Sequence, residues 1–263
     1  MTQADGKDLW YAYPPFPEDV PTYPLLVVDY QLLLTRSKRG LKNHDTGDDE
    51  KMKFEQGDDG MSAGGSTDAT GALDTVEFIN VNKDDVHRTY TSTVNARMDF
   101  TIQPFVLKSL SINETILDIF NARLGLPEGT PAKPHNREEH SYSETRTIKH
   151  PMKPEQSPAD IKAAIEAHID FGSLVRSSRL GGLQILPPTY NDWQYVRPNS
   201  GHAICNIGDA LPILSGGILR SNLHRVVPPP RAQSKSERWS LVYFTHPGNS
   251  VRQPWQKPQT LKL

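Results

Sequence analysis

The second half of the chain alternates apolar and polar residues in short runs that predict β-strands. Pro, Gly, Asn and Asp separate the runs and favour turns between them. Seven such runs follow Glu139, namely TRTIKHP, AHIDFGSLV, GGLQILP, DWQYVRP, HAICNIGDAL, NLHRVVP and RWSLVYFTHP. This spacing predicts an antiparallel sandwich or open barrel, with GGLQILP and DWQYV forming a hairpin.

The first half carries one helical pattern. Its apolar residues recur mostly at four-residue steps, which predicts a helix packed by one face on a larger body; they are Val94, Met98, Ile102, Val106, Leu110, Ile116, Phe120 and Leu124. Pro104 predicts a kink or break, and Gly125 predicts the helix end.

The remaining N-terminal residues predict little regular structure. TVEFINV alternates like a strand, and the proline-rich residues 1–24 favour an extended lead-in. The chain therefore divides into a flanking region, 1–89, and a helix plus β-domain, 90–263.

Composition limits the partners. The net charge of -2 and pI near 6.5 disfavour nucleic acid and anionic membranes. The chain shows no secretory segment and no apolar run approaching the roughly 20 residues that cross a bilayer. Cys205 is the single cysteine, which excludes an internal disulfide. We therefore expect a cytoplasmic protein, in an oligomeric state that the sequence leaves open.

Three side chains are candidates for one metal site. His168 and Asp170 lie two residues apart, so in a strand both point to the same face. Together they form two-thirds of the two-histidine, one-carboxylate set that holds non-haem Fe(II). His224 reaches the same end if the intervening chain forms two hairpins. A hydrogen-bonded strand pair without metal is the alternative for His168 and Asp170.

Two further residues form a candidate anion clasp. Arg238 and Ser240 also lie at i and i+2, and a guanidinium with a neighbouring hydroxyl binds a carboxylate well. A surface arginine beside a serine is the alternative. Phe171, Leu183 and Ile185 are expected to fill the core rather than line a pocket.

The run from Thr145 to Gly248 resembles the iron- and 2-oxoglutarate-dependent oxygenases of the isopenicillin N synthase-like class, in its fungal secondary-metabolism form. The landmarks TIKHP, AHIDFGSL, GGLQIL, NIGDAL, SNLHRVV and RWSLVYFTHPG occur in the family's order and approximate spacing.

The resemblance implies a double-stranded β-helix, or jelly roll, with flanking helices. It makes His168, Asp170 and His224 the Fe(II) ligands and catalytic residues, and Arg238 and Ser240 the clasp for 2-oxoglutarate. With O2, such an enzyme hydroxylates, desaturates or cyclises a small-molecule substrate. An iron oxidase that needs no 2-oxoglutarate and a non-catalytic remnant are the alternatives.

The chain departs from the family pattern at two places. Many relatives carry Asn-x-Tyr before the proline of TIKHP, where this chain has Ile148 and His150; His150 therefore packs or contacts the cosubstrate. In the family, flanking helices usually lie between the segments that resemble YPLLVVDYQLLL and GLKNHDTG, but only a few residues separate them here. Further residues of the family pattern are missing before DEKMKFEQGDDGMSAG. This is a genuine shortening or a mis-spliced gene.

Overall fold

Two antiparallel sheets face each other in the computed structural model. It describes residues 13–25, 27, 61–63, 76–85, 90–152, 163–172, 176–178 and 180–251. The first sheet contains, in spatial order, β1 (Met61–Ala63), β2 (Glu77–Asn82), β3 (Glu144–His150), β9 (Arg238–Phe244) and β5 (Arg176–Ser178). The second contains β4 (Ile165–His168), β8 (His224–Val226), β6 (Leu183–Ile185) and β7 (Gln194–Tyr195). Every strand pair is antiparallel, as the short alternating runs predict.

The alternation of β9 shows how the five-stranded sheet is covered on both faces. Arg238, Ser240 and Val242 are buried towards the opposite sheet, where Val242 packs on Ile148 and Ala164. Tyr243 points to the outer face and is buried against Val106 and Leu110. The outer face is thus covered by the long helix at this point.

The predicted helical stretch is divided into three parts. They are α1 (Ser92–Asn95), a π-helical turn (Met98–Ile102) and α2 (Gln103–Leu124). Pro104 lies in the first turn of α2, where its missing N–H costs no intrahelical hydrogen bond. The helix changes from π to α hydrogen bonding at Gln103, one residue before Pro104, but no non-helical residue interrupts it there. Gly125 follows α2 with φ +62°, in the left-handed conformation that ends many helices.

The buried stripe of the helix agrees with prediction only in its first half. Val94, Met98, Val106 and Leu110 are buried, but the buried positions further on include Asn113, Thr115 and Leu117. The prediction for Ile116 and Phe120 was wrong in detail, since both are only half-buried. The Asn113 amide instead donates to the Thr245 hydroxyl just beyond β9, which fixes the helix to the sheet through a polar contact.

The prediction of a strand for the run HAICNIGDAL was also wrong. Apart from a bridge at Ile204 it forms a loop, and α3 (Ala210–Leu214) follows. Short 3-10 turns complete the described structure, at Lys83–Asp85, Lys133–His135, Arg231–Lys235 and Asn249–Val251. Among the described residues, no helix is both long and apolar enough to cross a bilayer.

The described part of the proline-rich lead-in, residues 13–25, contains no helix and attaches to the sheet edge at β7. The Tyr195 N–H donates to Pro21 O (2.9 Å), and the Tyr23 N–H donates to Tyr195 O (3.0 Å). Phe16 is buried against Tyr195 and Val227. GLKNHDTG and most of YPLLVVDYQLLL and of DEKMKFEQGDDGMSAG lie outside the described residues. Since β2 pairs with β3, residues before 90 contribute to the sheet, and the division at 89/90 stays a prediction.

Candidate metal centre

The two histidines of the candidate site face each other across neighbouring strands. His168 ends β4, His224 begins β8, and the two residues are direct partners in the antiparallel register. Between Ile165 and His168 the register shifts, because β4 carries one residue more than β8 over this stretch. Such an irregularity re-aims a side chain. Without it, Ala167 would lie opposite His224.

Asp170, two residues beyond the end of β4, completes the group. Its Oδ1 lies 3.4 Å from His168 Nε2, and its Oδ2 lies 3.5 Å from His224 Nε2. One ligand atom from each of the three residues lies within 4.8 Å of the others. His224 is buried, whereas His168 and Asp170 are partly exposed, so the group opens to solvent on one side.

Backbone carbonyls set the tautomer of both imidazoles. His168 Nδ1 donates to Glu166 O (2.7 Å) and His224 Nδ1 donates to Asn222 O (3.2 Å), since a carbonyl oxygen only accepts. In the neutral rings this leaves a lone pair on each Nε2, the atom that points towards Asp170. This arrangement is the usual one behind histidines that bind a metal.

The loop containing NIGD supports Asp170. The Asn206 amide donates to Asp170 Oδ2 (2.7 Å), and the Asp209 N–H donates to Asp170 O (2.8 Å). Gly208 lies so close that an added Cβ would be 1.7 Å from Gly172 O. A glycine is required there because two backbone segments are in contact.

The candidate clasp lies inside the barrel. Arg238 is only 2% exposed, its Nε donates to Gly181 O (2.8 Å), and its Nη1 donates to Ser240 Oγ. These bonds orient the planar guanidinium before any ligand arrives.

His150 lies opposite Arg238 in the register of β3 and β9, and it is buried. Both residues line a small cavity between the sheets, together with Ala164 and Val227; its volume of about 280 Å³ includes open solvent. Ile148, the other position where the family pattern is lost, packs in the core.

A cleft of about 680 Å³, which includes the solvent at its mouth, opens beside His224. Its described walls are mostly apolar and include Leu25, Leu183, Ile185, Val196, Ile204 and Ile207. Leu183 and Ile185 therefore line the cleft as well as packing in the core. The expectation for Phe171 was wrong, since it is 82% exposed and does not line the cleft.

Sequence reasoning missed three polar residues of the cleft, namely Cys205, Arg220 and Asn222. A signal was present for two of them, because Arg220, Asn222 and His224 follow one another at two-residue steps. That spacing places side chains on one face of an extended chain.

The fold and the His168, Asp170 and His224 group resemble those of β-barrel oxygenases of the non-haem iron type, and comparisons agree. A model of the 2OG-Fe(II) oxygenase superfamily matches residues 140–247. The 2-oxoglutarate-dependent dioxygenase iboH of Amanita muscaria is 34% identical over 150 residues, covering 56% of this chain and 71% of that protein. The oxidoreductase vrtI of Penicillium aethiopicum is 29% identical over 211 residues, covering 77% of this chain and 50% of that protein. The chain belongs to the 2OG-Fe(II) oxygenase superfamily.

Solved structures show the same fold. The crystal structure of JOX2 in complex with 2OG, Fe and JA matches with a TM-score of 0.57 at 22% identity, covering 72% of this chain and 55% of that one. The predicted jelly roll is therefore confirmed. The chain spans about half the length of JOX2 and of vrtI.

Proposed function

We propose that the protein is an Fe(II)- and 2-oxoglutarate-dependent oxygenase that hydroxylates, desaturates or cyclises a small molecule. The observation that carries the proposal is the convergence of His168, Asp170 and His224 beside an apolar cleft. Two imidazoles and one carboxylate on one side of an ion, with the other side open, suit non-haem Fe(II).

His168 Nε2, His224 Nε2 and one Asp170 oxygen would hold the iron in this proposal. Bound iron, with 2-oxoglutarate and O2, would supply the oxidation of a C–H bond while 2-oxoglutarate becomes succinate and CO2. The protein contributes orientation. Glu166 O and Asn222 O fix the two rings, and the Asn206 amide fixes the carboxylate.

Arg238 and Ser240 would bind the far carboxylate of 2-oxoglutarate. Val227, three residues beyond His224, donates to Gly182 O, and the neighbouring Gly181 O accepts from Arg238. Three residues of extended chain span roughly 10 Å. A five-carbon diacid bound to a metal at one end and hydrogen-bonded at the other also spans roughly 10 Å. The clasp thus lies at a suitable depth.

His150 has a secondary part in the proposal. Its buried imidazole lines the same cavity as Arg238 and would contact the cosubstrate from the side. The fungal relative iboH, a 2-oxoglutarate-dependent dioxygenase, supports this cosubstrate. A small-molecule substrate and a setting in fungal secondary metabolism are further parts of the proposal. A cytoplasmic location is the part of the proposal that rests on the single cysteine.

Anaerobic titration with Fe(II) and 2-oxoglutarate tests the cosubstrate. We expect the weak visible absorption of an iron–2-oxo acid chelate, followed by succinate once O2 is admitted. Oxygen consumption with a substrate but without 2-oxoglutarate would instead support the oxidase.

Asp170→Ala tests the metal site. Loss of a ligand should lower succinate formation by on the order of 100-fold or more. Mn(II) at about 100 times its Kd should stabilise the unchanged protein by roughly 2.7 kcal/mol, a rise in Tm of about 5–10 °C that the variant lacks. The matched control is Asp192→Ala, which removes an exposed carboxylate away from the site. Succinate retained by Asp170→Ala would refute the ligand assignment, and no melting shift in the unchanged protein would support a non-catalytic remnant.

A further inference from the structure

The cleft beside His224 holds a single permanently charged side chain among the described residues that line it. That residue is Arg220, and the remaining polar lining comes from Asn206, Asn222, Cys205 and His224. No acidic side chain is among these lining residues. The described part of the cleft is therefore apolar with one positive group at its wall.

Arg220 differs from Arg225 and Arg231, two other arginines near the second sheet, whose guanidinium groups have partners in the protein. Arg225 donates to Gln184 and stacks on Trp193, and Arg231 pairs with Asp19. Within the described part of the chain, no hydrogen bond or ion pair holds Arg220. Its donors are therefore available to a ligand in the cleft.

Arg220 faces the same cleft as His224 of the metal centre. The Ser221 hydroxyl donates to Asp209 (2.7 Å) on the other side of the segment, which fixes the alternation. The Leu186 N–H donates to Leu223 O (3.0 Å), so the ladder with β6 continues ahead of His224. Arg220 and His224 both line the cleft and lie four residues apart along the chain, so their backbones can be separated by at most roughly 13 Å.

We propose that the cleft binds an amphipathic carboxylic acid. Its carboxylate pairs with Arg220, its apolar body lies against Leu183, Ile185 and Ile204, and its far end reaches His224. A planar guanidinium binds a carboxylate through two parallel hydrogen bonds. The reaction at the far end rests on the proposed function, whereas the binding mode does not.

Cys205 supplies a reporter inside the cleft. It is the only cysteine of the chain, and it is solvent-exposed, so any thiol label reports on this position. The protein around the thiol desolvates it and raises its pKa, so labelling is slower than that of a free thiol. A molecule that fills the cleft should shield Cys205.

The experiment measures alkylation of Cys205 by N-ethylmaleimide in the metal-free protein, followed by intact-protein mass spectrometry. The probes are octanoate, octanol and octylamine, which share one apolar tail and differ in the head group. We expect octanoate to protect Cys205 at concentrations about tenfold below octanol, because a charge-assisted hydrogen bond adds about this much. Octylamine should protect least.

Two variants locate the carboxylate. Arg220→Gln should raise the octanoate concentration needed for half-protection about tenfold and leave octanol unchanged. Arg220→Lys should retain only part of the preference, since it keeps the charge but cannot form the two parallel hydrogen bonds. Arg123→Gln is the matched control, because it removes an exposed arginine from the last turn of α2. The melting temperature of each variant shows that it is folded.

Equal protection by the three probes, no protection by any, or an unchanged octanoate response in Arg220→Gln would overturn the proposal. Failure of the proposed function is separate, since it appears as absent succinate formation with Fe(II) and 2-oxoglutarate. A protein that shields Cys205 through Arg220 but forms no succinate binds acids without oxidising them.

Discussion

Replacing Gly208 by alanine should weaken metal binding, because it displaces the backbone that holds Asp170. The added Cβ would lie 1.7 Å from Gly172 O and 2.6 Å from Asp170 O, both backbone atoms that no rotamer change can move. Normal contact therefore requires the two segments to part by more than about 1 Å. The Asn206–Asp170 and Asp209–Asp170 hydrogen bonds cross this contact and would weaken together.

The magnitude follows from these contacts. Overpacking costs about 1–3 kcal/mol, and each of the two hydrogen bonds contributes about 1 kcal/mol. A total loss of about 3–5 kcal/mol would lower Tm by roughly 6–15 °C in a chain of this size. Since Asp170 moves with the segment, Mn(II) affinity should fall by about 10–100-fold.

Calorimetry of Mn(II) binding and of thermal unfolding measures both effects. Gly201→Ala is the control, because its Cβ meets open space and only the left-handed φ of +72° is strained. That strain costs about 1–2 kcal/mol and should leave Mn(II) affinity unchanged. If Gly208→Ala binds Mn(II) as tightly as the unchanged protein, the loop does not position Asp170.

Two further predictions concern stability. Phe16→Ala should lower the free energy of unfolding by about 3–5 kcal/mol in urea, because the ring is buried against Tyr195 and Val227; an effect below about 1 kcal/mol would mean that the lead-in adds little. Desolvation by burial lowers the pKa of His135 below its ordinary value, so the unfolded state gains the proton first as the pH falls. Stability from this group is complete above about pH 6.5 and is lost at lower pH; Tm measured from pH 8 to 5 should fall less steeply in His135→Gln, and equal slopes would exclude this group.

The sequence was sufficient for features that depend on local alternation. His168 and Asp170, or Arg238 and Ser240, share a face because two residues separate them, and the structure brings each pair together. The hairpin of β6 and β7 also followed from the pattern.

Features that depend on distant backbone contacts could not be predicted in this way. The run around Asn206 has the apolar composition of a strand, yet its backbone packs on residues 170–172 and forms a loop. The extra residue in β4 that aligns His168 with His224 leaves no mark in the spacing of one strand, since it is defined only by the partner. The pairing of the lead-in with β7 is of the same kind.

The segment around His224 explains why one short stretch carries so much of the site. Arg220, Asn222 and His224 lie on the face towards the cleft, while the residues between them attach the segment to the protein. The Ser221 hydroxyl donates to Asp209, and Leu223 O accepts from the Leu186 N–H. A shift of one residue would exchange the two faces, removing the imidazole from the centre and the guanidinium from the cleft together. The hydrogen bonds that fix the strand register therefore also fix the distance between Arg220 and the metal centre. Removing the Ser221 hydroxyl should disturb both acid binding and metal binding.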